Sequence, residues 1–411
     1  MSKPVHLRLS DLRGFHRLAS DATLGLTDLV EAMHHTVIRT PGLFGQSSRG
    51  RTRGITGLVY RSVRGITRAA GAGVDALLGM LPPLLADRPS SDEREAVLAA
   101  LNGVLGDYLL ASDNPLAITL QLRHRGTPVA IARDALAANF PAATGRLLVL
   151  VHGLCMNDLQ WTRKGHDHGR ALAQPLGYTP LYVQYNSGLH ISTNGREFAG
   201  LLDALLREWP VAVDRLLIVG HSMGGLVTRS ACDHAQRTGH RWLDLLDGLA
   251  FLGTPHSGAP LERAGAWVDY LLDISPWTAP FARLGKIRSA GIRDLRYAHL
   301  SDEDWQRAPT SAARARAASP VPLPLPTGVR CYAIAASTQR HAGAPGARVR
   351  GDGLVPVDSA LGRHRDPQLA LAIPEARRWI GYGMGHLDLL SSPAVCEQLQ
   401  HWLREETRRS R

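Results

Sequence analysis

The sequence contains little cysteine and no long apolar run, and both absences exclude whole classes of protein. The four cysteines among 411 residues are Cys155, Cys232, Cys331 and Cys396. They are widely spaced without a C-x-x-C pair, so neither a dense disulfide framework nor a zinc site is indicated. No run of about 18 apolar residues is present, so no membrane-spanning helix is predicted. The first residues lack the apolar segment of a secretory signal, and a cytoplasmic protein with reduced thiols is expected.

Acidic residues are missing from one long stretch, between Ala32 and Val74. This stretch contains seven arginines, and the whole chain carries a formal charge of +11. The seven are Arg39, Arg49, Arg51, Arg53, Arg61, Arg64 and Arg68. This local excess of positive charge predicts either a solvated basic face or a partner of negative charge. An anionic membrane surface, contacted peripherally, is preferred over nucleic acid as that partner.

Hydrophobic periodicity divides the chain at about residue 111. Residues 1–111 have apolar residues at helical spacing and are predicted to form a basic, amphipathic helical extension. Residues 112–411 alternate apolar runs with helical segments, which predicts an α/β domain whose mostly parallel sheet is covered by helices on both faces. The apolar runs predicted to be strands include 146–153, 215–222, 249–258 and 328–337.

Residues 259–327 interrupt this alternation. The segment begins with large apolar side chains and ends in a low-complexity run of Ala, Arg and Pro. It is predicted to be a cap insertion over one end of the sheet, the alternative being a surface excursion packed on its own small cluster. As a cap it would supply an apolar pocket lined by Trp267, Tyr270, Leu271, Leu272 and Trp277.

Ser222 is the candidate nucleophile. It stands in Gly-His-Ser-Met-Gly, between an apolar run and a helical segment. This G-x-S-x-G pattern is typical of a sharp strand-to-helix turn that exposes a serine hydroxyl, and glycines two positions either side relieve the crowding. The helix that follows directs its positive end toward developing negative charge. The alternative is a glycine-rich turn with a capping serine.

A serine hydroxyl reacts only when a base takes its proton, and that base needs an acid to orient it. On a strand–serine–helix scaffold the acid and then the histidine follow the serine along the chain. Asp352 lies between two glycines beyond the strand 328–337, and His386 lies in a glycine-flanked loop before the last helix. They are predicted to be acid and base. The rivals are Asp358, read as a turn cap, and His364, read as a surface residue.

Two backbone N–H groups are predicted to hold the oxyanion of an acyl-transfer reaction. One belongs to Met223, directly after the nucleophile. The other belongs to Leu154, which follows the tight turn His152-Gly153 at the end of an earlier strand. Cys155 beside it is predicted to be a small buried hydrophobe.

Two further polar residues border this predicted site. His256 follows a predicted strand and is expected to brace its loop rather than to react. Asp388 is expected either to orient the loop of His386 or to bind a cation. Because no partner carboxylate at a suggestive spacing is apparent, no metal and no cofactor are predicted.

Five motifs in order carry a resemblance: "VLVHG", "GHSMGG", "FLGTPHSG", "DGLVP" and "GHLDLL". Over about residues 145–405 the chain resembles the lipase and esterase branch of the α/β-hydrolase superfamily, in particular bacterial lipases and proteins similar to GPI inositol-deacylases. The resemblance implies an α/β-hydrolase fold, with Ser222, Asp352 and His386 at the triad positions and Leu154 and Met223 at the oxyanion positions. In bacterial lipases an aspartate placed like Asp388 often binds calcium.

These features together predict a serine carboxylester hydrolase that acts on a hydrophobic ester or lipid through an acyl-enzyme. The same triad also serves an acyltransferase or a polyester depolymerase. An alternative from another functional class is a non-catalytic protein. Such a protein would dock on a membrane through its basic N-terminal helices and retain a hydrolase scaffold.

Overall fold

The apolar runs predicted to be strands form one mixed sheet in the computed structural model. The structure describes residues 8–38, 52, 54–80, 90–259, 289–307, 320–342 and 349–409. Eight strands of the described residues form the sheet: β1 (Gln121–His124), β2 (Thr127–Pro128), β3 (Arg146–Val151), β6 (Thr179–Gln184), β7 (Arg215–His221), β8 (Leu246–Leu252), β9 (Arg330–Ser337) and β10 (Arg378–Tyr382). A separate two-stranded hairpin consists of β4 (Thr162–Arg163) and β5 (His166–Asp167).

The sheet order is β2-β1-β6-β3-β7-β8-β9-β10. The six strands β6, β3, β7, β8, β9 and β10 are mutually parallel. Strand β1 pairs antiparallel with both β6 and β2. In β3 every residue from Leu147 to Val151 is buried. Because neighbouring side chains of a strand point to opposite faces, both faces are covered. The predicted α/β class, with a mostly parallel sheet, is confirmed.

Along the chain, helices occur before the first strand, between strands and after the last strand. They are α1 (Leu9–Ile38), α2 (Gly54–Met80), α3 (Asp92–Ala111), α4 (Arg133–Asn139), α5 (His168–Leu176), α6 (Ile191–Glu208), α7 (Met223–Thr238), α8 (Ala290–Tyr297), α9 (Asp302–Arg307), α10 (Val357–Ala360) and α11 (Pro393–Arg409). Short 3₁₀ turns include His386–Leu390. No helix among the residues described has both the length and the apolar character needed to cross a bilayer.

The contacts divide the chain into two units, with a first boundary between residues 89 and 90. In the N-terminal unit α1 packs on α2. The Arg64 guanidinium is buried and pairs with Glu31 at 2.6 Å and with Asp28 at 2.7 Å. Arg64 is one of the seven arginines predicted to form a basic face or to contact a partner of negative charge, and for Arg64 this is wrong because acidic side chains of α1 enclose its charge.

Helix α3 belongs to the unit of the sheet, whereas the sequence pattern groups it with the first two helices. The reason is a buried charge network: Glu95 pairs with Arg123 of β1 at 2.9 Å, and Arg123 pairs with Asp158 at 2.9 Å. Close backbone packing adds to it, because a Cβ on Gly103 would lie 2.2 Å from the Cys155 sulfur. The helix thus supports the loop that follows β3.

The predicted insertion at 259–327 is described at residue 259 and over 289–307 and 320–327. Trp267, Tyr270, Leu271, Leu272 and Trp277, predicted to line an apolar pocket, lie outside the described residues. The Ala259 N–H donates to the Leu295 carbonyl at 3.0 Å, so helix α8 returns next to the loop that follows β8. All four cysteines are free thiols and buried.

Candidate active site

Ser222 occupies a strained strand-to-helix turn. Strand β7 ends at His221, Ser222 has φ 52° and ψ −123°, and α7 begins at Met223. Its N–H donates to the Leu252 carbonyl of β8 at 2.8 Å. A non-glycine residue in the left-handed region costs on the order of 1–3 kcal/mol and persists where surrounding packing fixes it. A positive φ at this position is typical of a nucleophile turn, whereas a capping serine usually has an extended backbone.

The glycines around Ser222 are required by close backbone approach. A Cβ on Gly224 would lie 2.2 Å from the Val151 carbonyl oxygen, and a Cβ on Gly220 would lie 2.6 Å from the Cα of Gly225. Neither neighbour is the movable end of a side chain. The G-x-S-x-G spacing therefore lets α7 start directly against the ends of β3 and β7, as the sequence predicts.

Asp352 and His386 lie together, although they come from different loops. Oδ2 of Asp352 is 2.6 Å from Nδ1 of His386, and both side chains are buried. Oδ1 of Asp352 accepts from the N–H groups of Leu354 at 2.9 Å and Val355 at 2.7 Å. An ionised carboxylate held in this way keeps the imidazole proton on Nδ1, so that Nε2 is the basic atom of the ring.

The rival acid and base are placed differently. The Asp358 side chain is 70% exposed and pairs with Arg363 at 3.8 Å. His364 is exposed, and its Nδ1 accepts from the Asp366 N–H at 3.0 Å. Neither has the buried, oriented environment of Asp352 and His386, which favours the predicted assignment over its rival.

Ser222 and His386 both border the end of β8. The backbone N–H of Ser222 donates a hydrogen bond to the Leu252 carbonyl. A Cβ on Gly253, which follows Leu252, would lie 3.1 Å from Cε1 of His386. The ring of His221 lies 4.8 Å from the ring of His386, centroid to centroid. The carboxyl end of the parallel sheet thus brings together the predicted nucleophile and base.

His221, for which the sequence predicts no role, holds the loop of the candidate base His386. Its Nε2 is 3.3 Å from the His386 carbonyl oxygen. Because that oxygen can only accept, Nε2 of His221 carries the proton. Burial lowers the pKa of His221 well below its ordinary value, and the neighbouring His386 adds to this. Its position inside G-x-S-x-G was the available signal, but that position tolerates many residue types.

The predicted oxyanion residues flank the nucleophile. Met223 is the first residue of α7, so its N–H has no acceptor within the helix. A Cβ on Gly153, the residue before Leu154, would lie 3.2 Å from the Cβ of Ser222. The two segments predicted to supply the oxyanion N–H groups, the Gly153–Leu154 loop and the start of α7, therefore both border Ser222.

His152 fixes the course of the Leu154 loop. Its ring stacks on Tyr185 at 4.3 Å, its Nε2 accepts from the Tyr185 N–H at 3.3 Å, and its Nδ1–H donates to the Gly153 carbonyl at 2.8 Å. The Tyr185 hydroxyl donates in turn to the His152 carbonyl at 2.8 Å. Complete burial lowers the pKa of His152 to about 4, so the ring is neutral.

His256 and Cys155 have the surroundings expected of structural residues. Burial lowers the pKa of His256 well below its ordinary value, and the ring packs edge-on against Phe251 at 4.8 Å. The backbone N–H of His256 lies 3.3 Å from the Ser359 carbonyl oxygen, and this contact connects the His256 loop to α10. Burial raises the pKa of the Cys155 thiol to about 12, so this thiol is un-ionised.

Asp388 orients the loop of His386. Oδ2 accepts from the Gly385 N–H at 3.0 Å, and Oδ1 lies 2.8 Å from the Lys164 ammonium on the β4–β5 hairpin. The expectation that this carboxylate orients the loop agrees with these contacts. A lysine fills the place beside Oδ1 that a bound cation would need.

Comparison with known proteins agrees with the resemblance seen in the motifs. The family model described as the PGAP1-like alpha/beta domain matches residues 201–295, which include the turn of Ser222. None of the curated proteins is significantly similar to this chain.

Similar solved structures are lipases and esterases. The mature Bacillus licheniformis lipase BlEst2 is 17% identical with a TM-score of 0.39, and the match covers 63% of this chain and 91% of that one. A thermophilic esterase from Thermogutta terrifontis is 16% identical with a TM-score of 0.36, over 64% of this chain and 91% of that one. Naproxen esterase from Bacillus subtilis is 14% identical with a TM-score of 0.36, over 64% and 84%.

Proposed function

We propose that this protein is a serine hydrolase of carboxylic esters. One observation carries the proposal: the 2.6 Å contact between Asp352 and His386 lies at the sheet edge where Ser222 occupies its strained turn. Nucleophile, acid and base follow one another along the chain in the order typical of an α/β-hydrolase.

The reaction then has two halves. His386 takes the hydroxyl proton of Ser222 through Nε2 as the serine oxygen bonds to the ester carbonyl carbon, and Asp352 stabilises the imidazolium. The N–H groups of Leu154 and Met223 hold the oxyanion. The ester C–O bond breaks and the alcohol leaves with the proton from His386. Water repeats the sequence on the acyl-enzyme, releasing the acid and restoring Ser222.

A hydrophobic ester is the proposed substrate. The returning end of the insertion lies beside Met223, the residue after the nucleophile, because a Cβ on Gly291 of α8 would be 3.1 Å from Cε of Met223. This insertion begins with a segment rich in Trp, Tyr and Leu. That composition, in an insertion whose described end returns beside Met223, supports binding of an apolar acyl chain.

Hydrolysis of p-nitrophenyl esters of graded acyl length tests the proposal. Ser222→Ala is expected to lose activity on every ester. Ser230→Ala is the matched control, because it removes a buried hydroxyl from the same helix, where Ser230 donates to the Leu300 carbonyl at 2.7 Å. Turnover by Ser222→Ala at the wild-type rate would refute the proposal. A preference for short over long acyl chains would refute its hydrophobic part alone.

Acyl transfer to an alcohol and depolymerisation of a polyester use the same groups and are distinguished by their products. With an added alcohol, an acyltransferase forms the new ester faster than the free acid, whereas a hydrolase releases mainly acid. Release of soluble fragments from a polyester film would identify a depolymerase.

The N-terminal unit carries a second proposal, peripheral contact with an anionic membrane. Leu26 on α1 and Leu58, Ile66 and Leu77 on α2 are more than half exposed. Exposed leucine and isoleucine on a helical hairpin that also carries arginines are typical of interfacial binding. Co-sedimentation of the full chain with phosphatidylserine vesicles tests this. No binding at low salt, or equal binding after Leu58→Ser and Ile66→Ser, would contradict it.

A further inference from the structure

Outside the proposed triad, three metal-ligating side chains from two distant parts of the chain lie together. His166 lies on β5, His168 is the first residue of α5, and Cys396 lies on α11. One ligand atom from each side chain falls within 4.8 Å of the other two. His168 and Cys396 are buried and His166 is half-buried, so the cluster is reachable from one side.

The hydrogen bonds of His168 are those of a ligating histidine. Its Nε2 lies 2.8 Å from the Leu389 carbonyl oxygen, which can only accept, so the ring proton is on Nε2. Nδ1 of His168 therefore directs its lone pair toward Nε2 of His166, at 2.8 Å. Histidines that bind metals usually donate their other N–H to a carbonyl or carboxylate in this way.

The acidic residue between the two histidines is engaged elsewhere. Both Asp167 oxygens accept from the Tyr182 hydroxyl, at 2.7 and 2.9 Å, and Oδ1 also accepts from the Arg170 N–H at 3.1 Å. The available ligands are consequently two imidazole nitrogens and one thiolate. This set suits zinc and other soft or borderline transition metals rather than calcium or magnesium.

We propose that Nε2 of His166, Nδ1 of His168 and Sγ of Cys396 bind a zinc-type divalent cation, with one coordination position open to water. Ligand nitrogens of a tetrahedral zinc ion lie roughly 3.3 Å apart, given bonds of about 2.0–2.1 Å. The two nitrogens at 2.8 Å need only a small side-chain rotation to reach that separation. Binding releases the thiol proton of Cys396 to solvent, while His166 keeps one proton by transferring it to Nδ1.

Such a site would fix the loop of the proposed base. His168 holds the Leu389 carbonyl in the 3₁₀ turn that begins at His386, and Cys396 lies on the helix that follows this turn. The metal would join the β4–β5 hairpin, α5 and α11 around that turn. This consequence for catalysis rests on the proposed function, but the binding itself does not.

Metal binding by the full chain, expressed without a polyhistidine tag, tests the site directly. After chelation and buffer exchange, zinc titration is expected to load about one equivalent per chain, and cobalt(II) is expected to give the charge-transfer absorption of a thiolate ligand. Stoichiometric cobalt binding without a thiolate band would overturn the proposal, and so would binding below one-tenth of an equivalent. Both readouts remain valid if the protein has no esterase activity.

Two variants and one matched control assign the ligands. Cys396→Ser and His166→Gln are each expected to weaken zinc binding by more than about 100-fold, beyond the effect of losing an outer partner. Cys331→Ser, which alters another buried thiol, is expected to bind as wild type does. Circular dichroism of the metal-free proteins identifies a variant that fails to fold. Unchanged affinity in a folded Cys396→Ser or His166→Gln protein would overturn the assignment.

Discussion

Replacement of Asp352 by asparagine tests the proposed acid with almost no change in volume. The two N–H groups of Leu354 and Val355 hold one side-chain oxygen at 2.9 and 2.7 Å. In Asp352→Asn that oxygen must be the amide carbonyl, because an amide NH₂ cannot accept. The NH₂ then faces Nδ1 of His386 and donates to it. The imidazole proton moves to Nε2, and the ring can no longer take the proton of Ser222.

The size of the loss follows from these contacts. To restore the productive ring tautomer the amide must rotate by half a turn, which places NH₂ against the N–H groups of Leu354 and Val355. Two buried donors then lose their acceptor, at about 1–3 kcal/mol each. The productive state is therefore disfavoured by about 2–6 kcal/mol, or roughly 30-fold to 10⁴-fold in kcat/KM. This range includes the ~10⁴-fold loss of the corresponding change in a serine protease.

The assay is kcat/KM for p-nitrophenyl ester hydrolysis, with the free energy of unfolding measured in urea alongside. Asp358→Asn is the matched control, since that side chain is 70% exposed, and it is expected to change kcat/KM less than about 2-fold. If Asp352→Asn keeps more than one-third of wild-type kcat/KM while Ser222→Ala is inactive, Asp352 does not orient the base. A larger loss in the control would point to Asp358 as the acid.

Three further predictions concern the surroundings of the site. Gly224→Ala is expected to abolish activity and to lower the melting temperature, because its Cβ would lie 2.2 Å from the Val151 carbonyl; normal melting would contradict this. The free energy of unfolding is expected to fall by up to about 3 kcal/mol as the pH is lowered from 6.5 to about 4. The reason is that folding keeps His152 neutral while the unfolded chain binds a proton there. In His152→Asn, urea unfolding curves measured across this pH range should lack this contribution to the pH dependence of stability. Lys164→Met is expected to lower kcat, because it removes the ammonium that holds Asp388. It is expected to change the free energy of unfolding by less than about 1 kcal/mol, because the Lys164–Asp388 pair is exposed. A large loss of stability with unchanged kcat would argue against a positioning role.

Local chain rules account for what could be predicted from the sequence. Strands β3, β7, β8 and β9 are continuous apolar runs, and a parallel sheet buried on both faces selects such runs. The turn of Ser222 needs glycine at 220 and 224, and this requirement is visible as a fixed spacing. Glycines beside Asp352 and His386 mark loops at strand ends. Because parallel strands end at one edge, these loops converge without any long-range information.

Contacts between distant segments account for what could not be predicted. Helix α3 carries Glu95, which reads as a solvated first-turn acid until Arg123 of β1 is placed beside it. Arg64 reads as a surface charge because nothing in its own helix indicates Glu31. The cluster of His166, His168 and Cys396 gives no motif, since its ligands are in a hairpin and in the last helix.

The histidines at the carboxyl edge of the sheet show how burial separates structural from chemical roles. His152 bonds to the Gly153 carbonyl and the Tyr185 N–H, and His221 bonds to a backbone carbonyl. A neutral imidazole offers one donor and one acceptor, so it joins two backbone segments without a charge to desolvate. These rings gain nothing from protonation, and burial keeps them neutral. Of the histidines described at this edge, His386 has a carboxylate at 2.6 Å, which stabilises the charge that a general base acquires.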